Sequence, residues 1–194
     1  MPHPLEQELR RLGARARRYV LLRAGARTLL LVLATIAILS TIDYLFRIED
    51  RGMRAMLSLG LLLVLAVGIR SFARAARDSQ FSPVQVAYRV ERKFPRLRGR
   101  LTSAVEFLAE SEDDPLAGSA TMRRAVVSQA AADVQRLNLD ETIDARPARR
   151  ALGATAAALA VGSLLLALAP QTLSLAFIRL TNPLSDNEWP RENQ

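Results

Sequence analysis

Thr28–Phe46 reads TLLLVLATIAILSTIDYLF, nineteen residues carrying a single charge, Asp43. An α-helix rises about 1.5 Å per residue, so about 20 such residues cross a hydrocarbon layer ~30 Å thick. Two further blocks follow. Ala55–Ile69 (AMLSLGLLLVLAVGI) is uncharged but short, and Arg54 and Arg70 flank it. Long arginine side chains snorkel to the headgroups, so a span over Met53–Phe72 makes up the length. Ala151–Ala169 (ALGATAAALAVGSLLLALA) is again nineteen residues without a charge. A soluble fold has little room for three such helices in 194 residues. The expected fold is an all-α membrane protein: three transmembrane helices, with a small cytoplasmic helical domain between the second and third.

A cleaved signal peptide is the rival reading of the first block. It would need a 27-residue basic start, and no small-x-small cleavage site follows the apolar run. The Arg17-Arg18 pair has only the outline of a twin-arginine signal. An uncleaved signal anchor fits better.

The averages conceal this segregation. Half the chain is apolar, yet the mean hydropathy is only +0.10. Lys and Arg number 27 against 19 Asp and Glu, a formal net charge of +8, and Lys93 is the only lysine. There is no cysteine and one histidine, His3, which excludes disulfides, thiolate metal sites and most histidine-based catalysis. The charge is distributed unevenly. Residues 1–27 carry +5 and 70–150 carry +4, whereas 47–54 carry +1 and 170–194 carry −1. Cytoplasmic flanks of membrane spans are rich in Lys and Arg. The expected topology is therefore N-terminus inside, a tight outer hairpin, a cytoplasmic domain and the C-terminus outside.

The segments follow from this. Residues 1–27 form a basic amphipathic helix, 28–72 the hairpin with spans 28–46 and 53–72, 73–150 the cytoplasmic domain, 151–169 the third span and 170–194 an outer tail. Leu5, Leu9, Leu12, Ala16 and Tyr19 share one helical face, surrounded by Arg10, Arg11, Arg15, Arg17 and Arg18. Such a helix is expected to lie along the anionic inner leaflet. In the cytoplasmic segment Ser82-Pro83 starts a helix that Pro95 ends. A second helix begins after Arg100, with Leu101, Ala104, Val105 and Leu108 as its stripe. The acidic stretch Ser111–Gly118 is a loop, and a third helix runs over Ser119–Leu139 with Val127, Ala130, Val134 and Leu137 on one face. Three short amphipathic helices can cover one another as a small bundle.

Few residues suggest chemistry. Asp43 is the lone ionisable group within a span, near its outer end; Arg47, one helical turn on, is the expected partner, with Arg51 and Arg54 as others across the hairpin. An interfacial ion pair is favoured over a proton or ion site. Ala154, Ala158 and Gly162 recur every four residues and offer a close-packing face to another helix. Arg89, Arg92, Lys93, Arg96, Arg98 and Arg100 form the densest basic cluster, offset only by Glu91. A solvated face with lipid-headgroup or partner contacts is favoured there; with aromatics scarce and no binding motif, no nucleic-acid partner is expected. Phosphate loops, nucleophile elbows and His-Glu-x-x-His are absent, so no catalysis, cofactor or metal is expected.

Three features together resemble a family of uncharacterised bacterial inner-membrane proteins. They are the arginine-rich start leading into a hairpin of spans, the stretch from Val86 to Glu106 (VAYRVERKFPRLRGRLTSAVE), and the exit AFIRLTNPL at Ala176–Leu184 followed by Trp189-Pro190. The shared motifs are structural and name no active site. The resemblance implies the N-terminal membrane module of a longer protein whose relatives continue into a large extracytoplasmic region; this chain stops soon after its third span. The expected function is an integral anchor or assembly module of the cytoplasmic membrane, in contact with the bilayer and, through its spans and the exit segment Gln171–Pro190, with a protein partner or itself. The alternative is a small subunit of a transport or secretion assembly, with Asp43 lining a pathway. On these readings, an Asp43→Asn exchange leaves an anchor unaffected and abolishes transport.

Overall fold

The computed structural model describes residues 3–109 and 119–183. The acidic loop expected at Ser111–Gly118, Trp189 and the end of the exit segment lie outside the described residues. Among these residues seven α-helices follow in order: α1 (Pro4–Phe46), α2 (Arg51–Asp78), α3 (Pro83–Lys93), α4 (Arg100–Ala109), α5 (Ala120–Gln135), α6 (Arg146–Leu168) and α7 (Pro170–Thr181), with 3-10 turns at Pro95–Leu97 and Leu139–Thr142. Among the described residues there is no strand. Three helices, α1, α2 and α6, are long and apolar enough to cross a membrane, and in each only 6% of the most apolar window is buried inside the chain. Apolar surface left open over a whole span requires another apolar environment to cover it.

The chain divides into two compact units. One comprises residues 1–21 and 76–146, the other 22–75 and 147–194. The first unit is built on α3, α4, α5 and the start of α1. Leu5, Leu9 and Leu12 are buried in one cluster with Val86, Val90, Leu97, Leu101, Val105, Val127 and Val134. The unit boundary at residue 21 differs from the expected segment end at 27, and the apolar face expected to meet the leaflet is covered from within the chain. The apolar face of the first helix packs into the core of the helical domain, and α1 continues without a break through residue 27. A core and a lipid surface are equally apolar, and here the core takes the face.

Local sequence accounts for both ends of α3 and the start of α4. Ser82 accepts from the backbone amide of Gln85 at 3.3 Å, while the Gln85 side chain accepts from the Ser82 amide, a reciprocal cap ahead of Pro83 at the first turn. Pro95 lacks an amide hydrogen and ends α3 into a 3-10 turn. Arg98 and Gly99 then take positive φ, 47° and 81°, to turn the chain into α4. The Glu91 carboxylate reaches across that turn. It accepts from the Leu101 and Thr102 amides at 2.8 and 3.1 Å and from the Thr102 hydroxyl at 2.8 Å.

In the second unit, α1, α2 and α6 meet near Ala26. The Thr155 hydroxyl donates to the Ala26 carbonyl at 2.9 Å and is buried. Thr28 lies against Gly68, its hydroxyl 3.4 Å from the Gly68 carbonyl. The tail expected from 170 onward begins instead as a helix. Pro170 fits its first turn, and Ala169 (φ −138°, ψ 63°) breaks the chain from α6.

Candidate functional site: a buried ion pair at the hairpin end

The turn between α1 and α2 is closed by its own residues. Arg47 has a φ of 43° and stands outside α1, which ends at Phe46. A left-handed residue is a common stop for a helix. Asp50 then caps α2, its carboxylate accepting from the amides of Gly52 at 3.3 Å and Met53 at 3.1 Å. Arg54, itself buried, turns back to donate its Nε to the Ile48 carbonyl at 2.9 Å and an Nη to the Glu49 carbonyl at 3.3 Å. Hydrogen bonds from one arginine to two successive carbonyls fix the turn.

On this turn sits the exit helix. Arg179 of α7 donates Nε to Asp43 Oδ2 at 2.8 Å and Nη2 to Oδ1 at 3.1 Å, the two-pronged geometry for which a guanidinium is shaped. The same Nη2 donates to the Ile48 carbonyl at 2.7 Å. That oxygen has two lone pairs, and Arg54 and Arg179 take one each. Asp43 and Arg179 are 5% and 3% exposed, so the pair is withdrawn from solvent. One residue along, the Leu180 carbonyl accepts from the Ser58 hydroxyl of α2 at 2.7 Å. Ion pair and hydroxyl together pin α7 to both arms of the hairpin.

Asp43 thus has a partner that spacing does not suggest, Arg179. Arg47 has left the helix and is exposed, while the carboxylate is buried against an arginine 136 positions away. A sequence signal for this pairing does exist. Arg179 is the only charge in Pro170–Thr181, as Asp43 is the only charge in Thr28–Phe46, and the two have opposite sign. Lone opposite charges in apolar helices gain most by finding each other.

The other expected site residues are placed as follows. Gly162 has open space where a Cβ would point, and Ala154 is exposed, so at these two positions no helix among the described residues closes on the small-residue strip. Ala158 and Gly162 line an apolar groove of about 630 Å³ between α1, α6 and α7, with Leu33, Ala37 and Leu173 among its walls. In the basic helix Arg10 pairs with Glu6 at 2.6 Å, and Arg11, Arg15, Arg17 and Arg18 are exposed. In the basic cluster Arg89 lies 3.9 Å over the Phe81 ring, and Arg100 stands 3.7 Å from Asp133. Arg92, Lys93, Arg96 and Arg98 are exposed. Glu91, counted as the one carboxylate offsetting them, is committed to the start of α4. Among the described residues no group of three His, Cys, Asp or Glu is placed to hold a metal.

No family model, curated protein or solved structure matches this chain.

Proposed function

We propose that the chain is an integral membrane anchor or assembly module of the bacterial cytoplasmic membrane and performs no chemistry. On this reading its three apolar helices hold the unit built from α3, α4 and α5 at the cytoplasmic face, and α7 leaves on the outer side. One observation carries the reading: three helices of spanning length present nearly all of their apolar windows outward. The alternative, a subunit of a transport or secretion assembly, places Asp43 on a pathway. The commitment of both Asp43 oxygens to Arg179 favours the anchor. The resemblance to a membrane module of longer proteins points the same way, with the spans and α7 as the surfaces that meet a protein partner or a second copy.

Topology is the test. The chain has no cysteine, so single cysteines introduced at the exposed positions Met122 and Thr181 each report alone. In intact cells a membrane-impermeant maleimide is expected to label Thr181→Cys and to label Met122→Cys only after lysis. Reporters fused after Gln194 and inserted near Asp114 are expected to behave as outside and inside respectively. The reverse pattern, or release of the protein by alkaline carbonate, overturns the reading.

A further inference from the structure

We propose that Arg23, Arg27, Arg70, Arg74, Arg149 and Arg150 form a collar around one end of the three-helix unit that binds the phosphates of anionic phospholipids. The proposal rests on the membrane reading above. All six belong to the same compact unit. Contacts between the three helices bring the arginines to one level. Gly25 faces the Phe72 ring, Thr28 meets Gly68, and Thr155 bonds to Ala26. Further along, α1 from Leu30 to Tyr44 and α6 from Ala157 to Leu165 share the walls of one groove, so these two helices run in the same direction. Arg23 and Arg27 of α1, Arg70 and Arg74 of α2, and Arg149 and Arg150 of α6 therefore gather at the same end.

This end holds no counter-charge of its own. Residues 22–28, 68–75 and 147–155 contain no Asp or Glu. None of the six hydrogen-bonds or ion-pairs with a described residue. Five of them are exposed; Arg23 is half-buried, and its Nε is buried without a partner. Six like charges around one bundle end repel one another, and an anion supplied from outside relieves that repulsion.

Phospholipid is the anion the position selects. The uncharged runs begin or end within a few residues of these arginines, at Thr28, Ile69 and Ala151. When the runs fill the hydrocarbon layer, the guanidiniums stand at the depth of the headgroup phosphates. A guanidinium fork takes two oxygens of a phosphodiester, and neighbouring helices supply two forks to one headgroup. A soluble acidic protein would have to enter the headgroup layer to reach the same charges.

The test uses the full chain in phosphatidylcholine vesicles and compares the association of spin-labelled phosphatidylglycerol with that of spin-labelled phosphatidylcholine. The wild-type chain is expected to prefer the anionic lipid several-fold. Changing all six arginines to glutamine brings the ratio close to one. Replacement on one helix at a time (R23Q/R27Q, R70Q/R74Q or R149Q/R150Q) lowers it by roughly twofold or more, because each arginine near an anionic surface is worth a few-fold in affinity. These milder variants keep the test open if the sixfold variant does not fold. Replacing Arg92, Lys93, Arg96 and Arg98 with glutamine leaves the ratio unchanged. Equal association in the wild type overturns the collar, as does a preference that survives all six changes, one lost with the second cluster, or one abolished by free inorganic phosphate. A wild-type chain extracted by alkaline carbonate overturns the membrane reading itself; one that stays integrated without lipid preference overturns the collar alone.

Discussion

Arg179 grips both carboxylate oxygens of Asp43, at 2.8 and 3.1 Å, and joins α7 to the end of α1. Both side chains are buried. Removing one partner of a buried pair strands the other charge, at a cost of about 3–5 kcal/mol. Asp43→Asn and Arg179→Gln are each expected to destabilise the purified protein by that order, measured by SDS-titrated unfolding in micelles. The double variant Asp43→Leu/Arg179→Met removes both charges and is expected to recover most of the loss. A pathway carboxylate would respond differently: the double variant would be stable and still lack flux. The simple expectation that an anchor ignores Asp43→Asn is revised, because in this structure the aspartate is part of the scaffold.

What could be read in advance was whatever is encoded locally. Three long apolar helices follow from uninterrupted apolar composition. The start of α3 follows from Ser82-Pro83 and its end from Pro95, because capping and proline chemistry involve only near neighbours. Leu5, Leu9 and Leu12 showed that one face is covered, and nothing in a helical period says by what. Lipid was the expected cover, and Val86, Val90 and their neighbours supply it. Arg179 as a partner of Asp43 escapes the sequence for a related reason. Sequence distance ranks Arg47 above Arg179, but the helix ends before Arg47 and a chain reversal brings Arg179 in.

Glu91 spans the turn between α3 and α4 and fills the anion position at the start of α4. Two backbone amides and one hydroxyl point at its carboxylate. Loss of a helix cap costs about 0.5–2 kcal/mol, with charged acceptors at the upper end. Glu91→Ala is expected to destabilise the first unit by about 1–2 kcal/mol. Hydrogen exchange should locate the effect: the Leu101 and Thr102 amides lose protection first, while amides in the middle of α2 are unchanged. Uniform loss across the unit would mean that the contact is not a cap.

Thr155 joins α6 to α1 through a single proton. Its hydroxyl lies 2.9 Å from both the Ala26 and the Ala151 carbonyls. Hydrogen bonds between membrane helices average about 0.6 kcal/mol and reach ~1.7 kcal/mol at most. Thr155→Val keeps the shape and removes the donor, so a loss of about 0.5–1.5 kcal/mol is expected in SDS-titrated unfolding. Thr155→Ser keeps the donor and should lose less. A loss from Thr155→Ser with none from Thr155→Val would assign the contribution to the methyl group.

Gly68 is required by the closeness of α1 and α2. A Cβ on residue 68 would stand 2.8 Å from Thr28 Cγ2, inside the distance that real contacts reach. Thr28 is β-branched and stiff at χ1, so the side chain has little freedom to turn away. Gly68→Ala is therefore expected to push the helices apart and to cost about 1–3 kcal/mol, the usual range for overpacking. Thr28→Ser removes the offending methyl and keeps the hydroxyl that lies 3.4 Å from the Gly68 carbonyl. In the Thr28→Ser background the same Gly68→Ala change should cost markedly less, because the added Cβ now meets space. A cycle of the four proteins in SDS-titrated unfolding measures the difference. Strict additivity would show that the two residues do not touch, and that α1 and α2 are not held together at this level.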